Sequence, residues 1–153
     1  MNTDYERIRV CSFHEAGHTV AFLEHGVALK HVTITVPGFF SDGSGYTLPK
    51  TGQIPYEADM ICTIAGTVAE QMLYDEWGHS TGKAKRLAAP GVRGTGGDLE
   101  IIMEIQQYTT YTLADAEKAA RTLLMNNWQR VQRTAEEIAR YGKVPGHRLA
   151  RIG

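Results

Sequence analysis

Apolar residues recur at helical spacing from the start of the chain. Tyr5, Ile8, Cys11, Ala16, Val20 and Leu23 can share one stripe. Thr3 and Glu6 have capping-box spacing, and Gly26 is a natural stop. The period then drops to two. His31–Val36 is rich in β-branched residues and ends at Pro37-Gly38, which predicts a strand. Phe39–Ser44 reads as a turn and Gly45–Leu48 as a second short strand before Pro49, so the two predict an antiparallel pair. Helical spacing returns from Tyr56 to Trp77 through Ile61, Ile64, Ala65, Val68, Met72 and Leu73. Residues 78–97 have no apolar period and are rich in Gly, Lys and Arg, the mark of a long functional or mobile loop. A third helix is expected over Asp98–Leu113, with Leu99, Ile102, Met103 and Gln106 in step, and a fourth over Asp115–Tyr141, with Ala119, Leu123, Trp128, Val131 and Ile138. Residues 142–153 read as a loose tail.

These elements sum to one mainly α (α+β) domain over residues 1–153, with about four helices and a small antiparallel hairpin. A formal net charge of −1 gives no bulk attraction to nucleic acid or to an anionic membrane. Cys11 and Cys62 are too few for a disulfide framework and are expected as reduced core thiols. Met1–Val10 lacks the apolar stretch of a signal peptide, and no run approaches the ~18 apolar residues of a membrane span. A soluble, cytoplasmic protein is expected.

Within the first helix lies His14-Glu15-Ala16-Gly17-His18, an HExxH pattern. Residues four apart project from one helix face, so both imidazoles can bind one zinc ion, while Glu15 flanks that face and can act as general base. Chance occurrences of the pattern are common. Gly17 makes this one more informative, because a glycine inside a helix costs roughly 1 kcal/mol relative to alanine. Close approach of another backbone, or of a substrate, would offset that cost. Catalytic zinc usually takes three protein ligands and keeps one position open. The third has two candidates, Asp98 after the glycine-rich turn 94–97 and Glu70 in Ala65–Glu70. Asp98 is favoured by the close backbone approach that glycines permit and by its place at a helix start.

Other signals are weaker. Gly78–Lys83 is one residue short of a phosphate-binding loop and follows a helix, which excludes that reading. His25, His31, His79 and His147 match no ligand spacing, and Lys83, Lys85, Arg86 and Arg93 are expected on a solvated loop.

Three segments in order resemble the peptidase domain of the FtsH-type, AAA-linked zinc metalloproteases. His14–His18 is similar to the family's HEAGH, Ala65–Glu70 to its GGRxAEE segment and Thr95–Leu99 to its TGAxxDL segment, shortened by one residue. Thr67 stands where the family has arginine. The resemblance, which runs from Tyr5 to about Tyr141, implies a zincin-like HExxH helix with His14, His18 and Asp98 as Zn2+ ligands. It implies Glu15 as catalytic base and Glu70 as a group that orients a ligand imidazole. It also implies that Gly45, Tyr46 and Thr47 form an edge that pairs with extended polypeptide substrate. Family members carry an ATPase module and usually membrane helices, neither of which is found here. The expectation is therefore a metallopeptidase acting on flexible or unfolded polypeptide, with an ATPase partner, if any, in trans and the oligomeric state open. The alternative is a metal-stabilised, catalytically weak binding module that works with such an ATPase.

Overall fold

The computed structural model describes residues 4–35, 44–49, 54–88 and 97–153. Two helices of 21 residues each, α1 (Asp4–Glu24) and α2 (Tyr56–Glu76), form its centre. They lie close together because Gly17 faces α2. A Cβ at Gly17 would stand 2.5 Å from the Ala65 carbonyl oxygen and 2.7 Å from Ala69 Cβ. Of the two explanations open for Gly17, the approach of another backbone is therefore the observed one. Phe13, Ala16 and Val20 of α1 meet Ile64, Ala65, Val68 and Leu73 of α2 in the core.

Between these helices the chain forms β1 (Leu29–Thr35) and β2 (Ser44–Pro49), and much later β3 (Lys143–Pro145). The antiparallel sheet has the order β2-β1-β3, with Val32 opposite both Thr47 and Val144. Leu29, Val32 and Ile34 of β1 point into the core. Among the described residues the outer edge of β2 has no further strand beside it.

The remaining helices are α3 (Thr81–Ala88), α4 (Asp98–Gln106), α5 (Leu113–Asn126), α6 (Trp128–Tyr141) and the short α7 (Gly146–Leu149). The mainly α class and the antiparallel pair agree with the sequence pattern, but the helix count is higher than four. The loop expected over 78–97 contains α3, which packs on Tyr74 through the small side chains Ala84 and Ala88. The expected third helix ends early at Gln106, and Thr112 opens α5 with a reciprocal capping box to Asp115. The expected fourth helix is two. Asn127 leaves helical geometry (φ −123°, ψ 19°), and its Nδ2 donates to the Leu123 carbonyl at 2.9 Å. Tyr5 and Met103 are exposed rather than on apolar stripes, while α4 buries Ile102, as expected, together with Ile105.

The tail is not loose. Val144 and Leu149 are fully buried, and β3 completes the sheet. Gly146 packs so closely on β1 that a Cβ there would overlap the Leu29 carbonyl. The expected cap Thr3, the strand end Val36, residues 39–43 of the expected turn, and Arg93, Gly94, Thr95 and Gly96 lie outside the described residues, while Ser44, expected in that turn, opens β2. Among the described residues no helix is long and apolar enough to cross a membrane.

Candidate metal centre

His14 and His18 sit one turn apart on the buried middle of α1 and both face α2 and the start of α4. Their Nε2 atoms are 3.0 Å apart. Asp98, the first residue of α4, brings its Oδ2 to 3.2 Å from His14 Nε2 and 3.3 Å from His18 Nε2. That oxygen is buried and has no hydrogen-bond partner. Gly97 takes an extended conformation immediately ahead of α4.

The far side of each ring fixes which nitrogen is free. His14 Nδ1 lies 2.6 Å from Glu70 Oε1, and His18 Nδ1 lies 2.8 Å from the Cys62 carbonyl oxygen. Both partners only accept, so both Nδ1 atoms carry hydrogen and donate. In neutral rings both Nε2 atoms are then lone-pair donors aimed at the same point as the Asp98 carboxylate.

Three electron-pair donors that close together need a positive charge among them. A regular tetrahedral zinc site with bonds of about 2.0–2.1 Å has ligand atoms about 3.3–3.4 Å apart. The observed separations fit such a site with little adjustment. His14, His18 and Asp98 could therefore hold a metal ion. Protonation is the other way to supply the charge. Burial works against a charged His14, but the Asp98 and Glu70 carboxylates beside it outweigh that and hold its pKa well above the ordinary value. His18 is raised too, since burial is outweighed chiefly by the charge of Asp98. Burial would raise Asp98, yet the adjacent His18 and His14 hold its carboxyl well below the usual carboxylate range.

Glu70 accepts from His14 and is not one of the three converging donors. Glu15 is only 2 % exposed. Its Oε2 accepts a hydrogen bond from Thr47 Oγ1 on β2 at 2.7 Å. Gly45 and Tyr46 lie beside Thr47 on β2, paired with Ile34 and Thr33.

Three contributors escaped the sequence reading. The Cys62 carbonyl is a backbone group, and the Thr47 hydroxyl comes from a distant element; neither leaves a local signal. Gly66 does leave one. It is an interior helical glycine like Gly17, and a Cβ there would stand 2.5 Å from His18 Nε2 and 2.7 Å from His14 Nε2. Its missing side chain leaves the space beside both nitrogens open.

Compared with known proteins, the chain matches no family model and no curated sequence.

Proposed function

We propose that the chain is a zinc metallopeptidase of the FtsH type that hydrolyses peptide bonds in flexible or unfolded polypeptide. One observation carries this reading: His14 Nε2, His18 Nε2 and the unpartnered Asp98 Oδ2 converge on one point, and Glu15 follows His14 on the same helix. The mixed imidazole and carboxylate set suits zinc among the common divalent ions. Zinc bound there would make water more acidic and polarise a carbonyl oxygen.

The chain's own groups do the rest. Glu70 and the Cys62 carbonyl hold the two rings in one orientation through their Nδ1 hydrogens. As the water oxygen bonds to the scissile carbonyl carbon, Glu15 takes a proton from the water. It returns that proton to the amide nitrogen as the C–N bond breaks. The outer edge of β2, at Gly45, Tyr46 and Thr47, offers backbone groups to which an extended substrate can add as a further strand. A folded substrate offers no such strand, so an ATPase acting in trans would have to unfold it first. The near-zero net charge gives no reason to add nucleic acid as a partner.

The test is zinc-loaded protein acting on an unstructured polypeptide. Glu15→Gln retains zinc and an acceptor for Thr47, and its rate falls by roughly 10²–10⁴. A variant that cleaves at the wild-type rate removes Glu15 from the reaction. Zinc-loaded wild type with no turnover on flexible peptides supports a binding module instead.

A further inference from the structure

We infer that Thr47 is a positioning residue for Glu15: its hydroxyl fixes one carboxylate oxygen of the base and thereby ties the base to the substrate-binding edge strand. This rests on the peptidase reading and assigns Thr47 a task beyond offering its backbone to substrate.

The geometry leaves the hydroxyl little choice. Thr47 Oγ1 lies 2.7 Å from Glu15 Oε2 and 3.3 Å from the Glu15 carbonyl oxygen. It has one hydrogen to give. The carbonyl already accepts from Thr19 Oγ1 at 2.7 Å. The shorter contact has the length of a well-formed hydroxyl hydrogen bond, and one made to a carboxylate is about twice as strong as a neutral one. The hydrogen therefore goes to Oε2.

The Glu15 carboxylate sits on a flexible two-carbon stem, and the Thr47 hydroxyl holds one of its oxygens. Glu15 is buried, so a lost partner is not replaced freely by water. The hydroxyl also comes from the middle of β2, opposite Val32, with β1 paired along its inner side. A chain added to the outer edge would further immobilise that strand and the hydroxyl with it. Substrate docking and orientation of the base would then share one element.

Two substitutions separate this role from simple packing. Thr47→Val keeps the shape and the strand preference but removes the hydroxyl; Thr47→Ser keeps the hydroxyl. On zinc-loaded protein with a flexible peptide, Thr47→Val should lower kcat by roughly tenfold to a hundredfold, the worth of a hydrogen bond to a charged group, with KM nearly unchanged. Thr47→Ser should recover most of that rate. A wild-type kcat in Thr47→Val, a loss seen in KM instead, or a Thr47→Ser variant as slow as the valine variant overturns the role.

A second measurement needs no activity. In metal-free protein Thr47→Val should lower Tm by about 4–8 °C, and by much less when introduced into Glu15→Ala. Equal falls in both backgrounds overturn the contact. If the wild type cleaves nothing, the peptidase reading falls and the catalytic role of Thr47 falls with it. The melting comparison still decides the Thr47–Glu15 bond by itself.

Discussion

Gly17 and Gly66 are both glycines inside long helices, yet their missing side chains serve different ends. At Gly17 a methyl group would press on the Ala65 carbonyl, a backbone atom that moves only if α1 and α2 separate. At Gly66 it would press on the ends of two imidazole rings, which can swing away at the cost of their bonds to Glu70 and the Cys62 carbonyl. Gly17→Ala should therefore destabilise the chain, with or without zinc, by about 1–3 kcal/mol or more, as overpacking does. Gly66→Ala should weaken zinc binding by roughly 10–100-fold, the usual result of disturbing groups that orient metal ligands. Zinc titration and melting of metal-free protein, applied to both variants, separate the two effects. Wild-type zinc affinity in Gly66→Ala would mean that the ion does not bind between the rings.

At the level of elements, the final eleven residues behave as part of the core. Val144 and Leu149 are each fully buried, and β3 covers one side of β1. Deleting 143–153 should cost roughly 3–6 kcal/mol from those two side chains alone, whereas removal of a loose tail would be almost silent in a denaturation curve. The tail was illegible because its apolar residues, Val144, Leu149 and Ile152, are too few to show a period. Similar causes hid other elements. The inward face of α3 consists of Ala84 and Ala88, which carry little weight in a hydrophobic pattern. The break at Asn127 lies between two apolar stripes that continue across it, and a single side-chain bond to Leu123 accompanies it. By contrast, α1, α2 and the β1–β2 pair were legible, because their period and their glycine or proline stops agree. At the centre, the spacing of His14 and His18 already placed two rings on one face. Asp98 needed both its glycine-rich turn and the family resemblance. The Thr47 hydroxyl and the Cys62 carbonyl act across 32 and 44 residues of sequence, respectively, so only the folded chain reveals these two contacts.

On the scale of the whole molecule, the centre joins α1, α2 and α4, and the charge at that junction should make stability depend on pH in opposite ways with and without metal. In metal-free protein His14 and His18 are raised above their ordinary value of 6.5. A raised imidazole contributes stability that is full below its unfolded pKa and is lost as pH rises through the folded one. Asp98 is lowered from 3.8, so its contribution is present above that value and is lost as pH falls toward the folded pKa. The junction is thus strongest between 3.8 and 6.5, where carboxylate and imidazolium are both charged. Above that window the imidazolium contribution fades as pH climbs to the raised pKa values of the folded rings, and Tm should decline toward about pH 9. Zinc, if held there as proposed, would reverse the trend, because it needs the same nitrogens deprotonated. The rise in Tm caused by zinc should therefore be small near about pH 5.5 and large near about pH 8.5, where the ion replaces the lost protons rather than competing with them. Melting curves in chelator and in excess zinc across that range measure it. An equal zinc-induced shift at both ends would mean that the ion and the protons do not share the His14–His18–Asp98 junction.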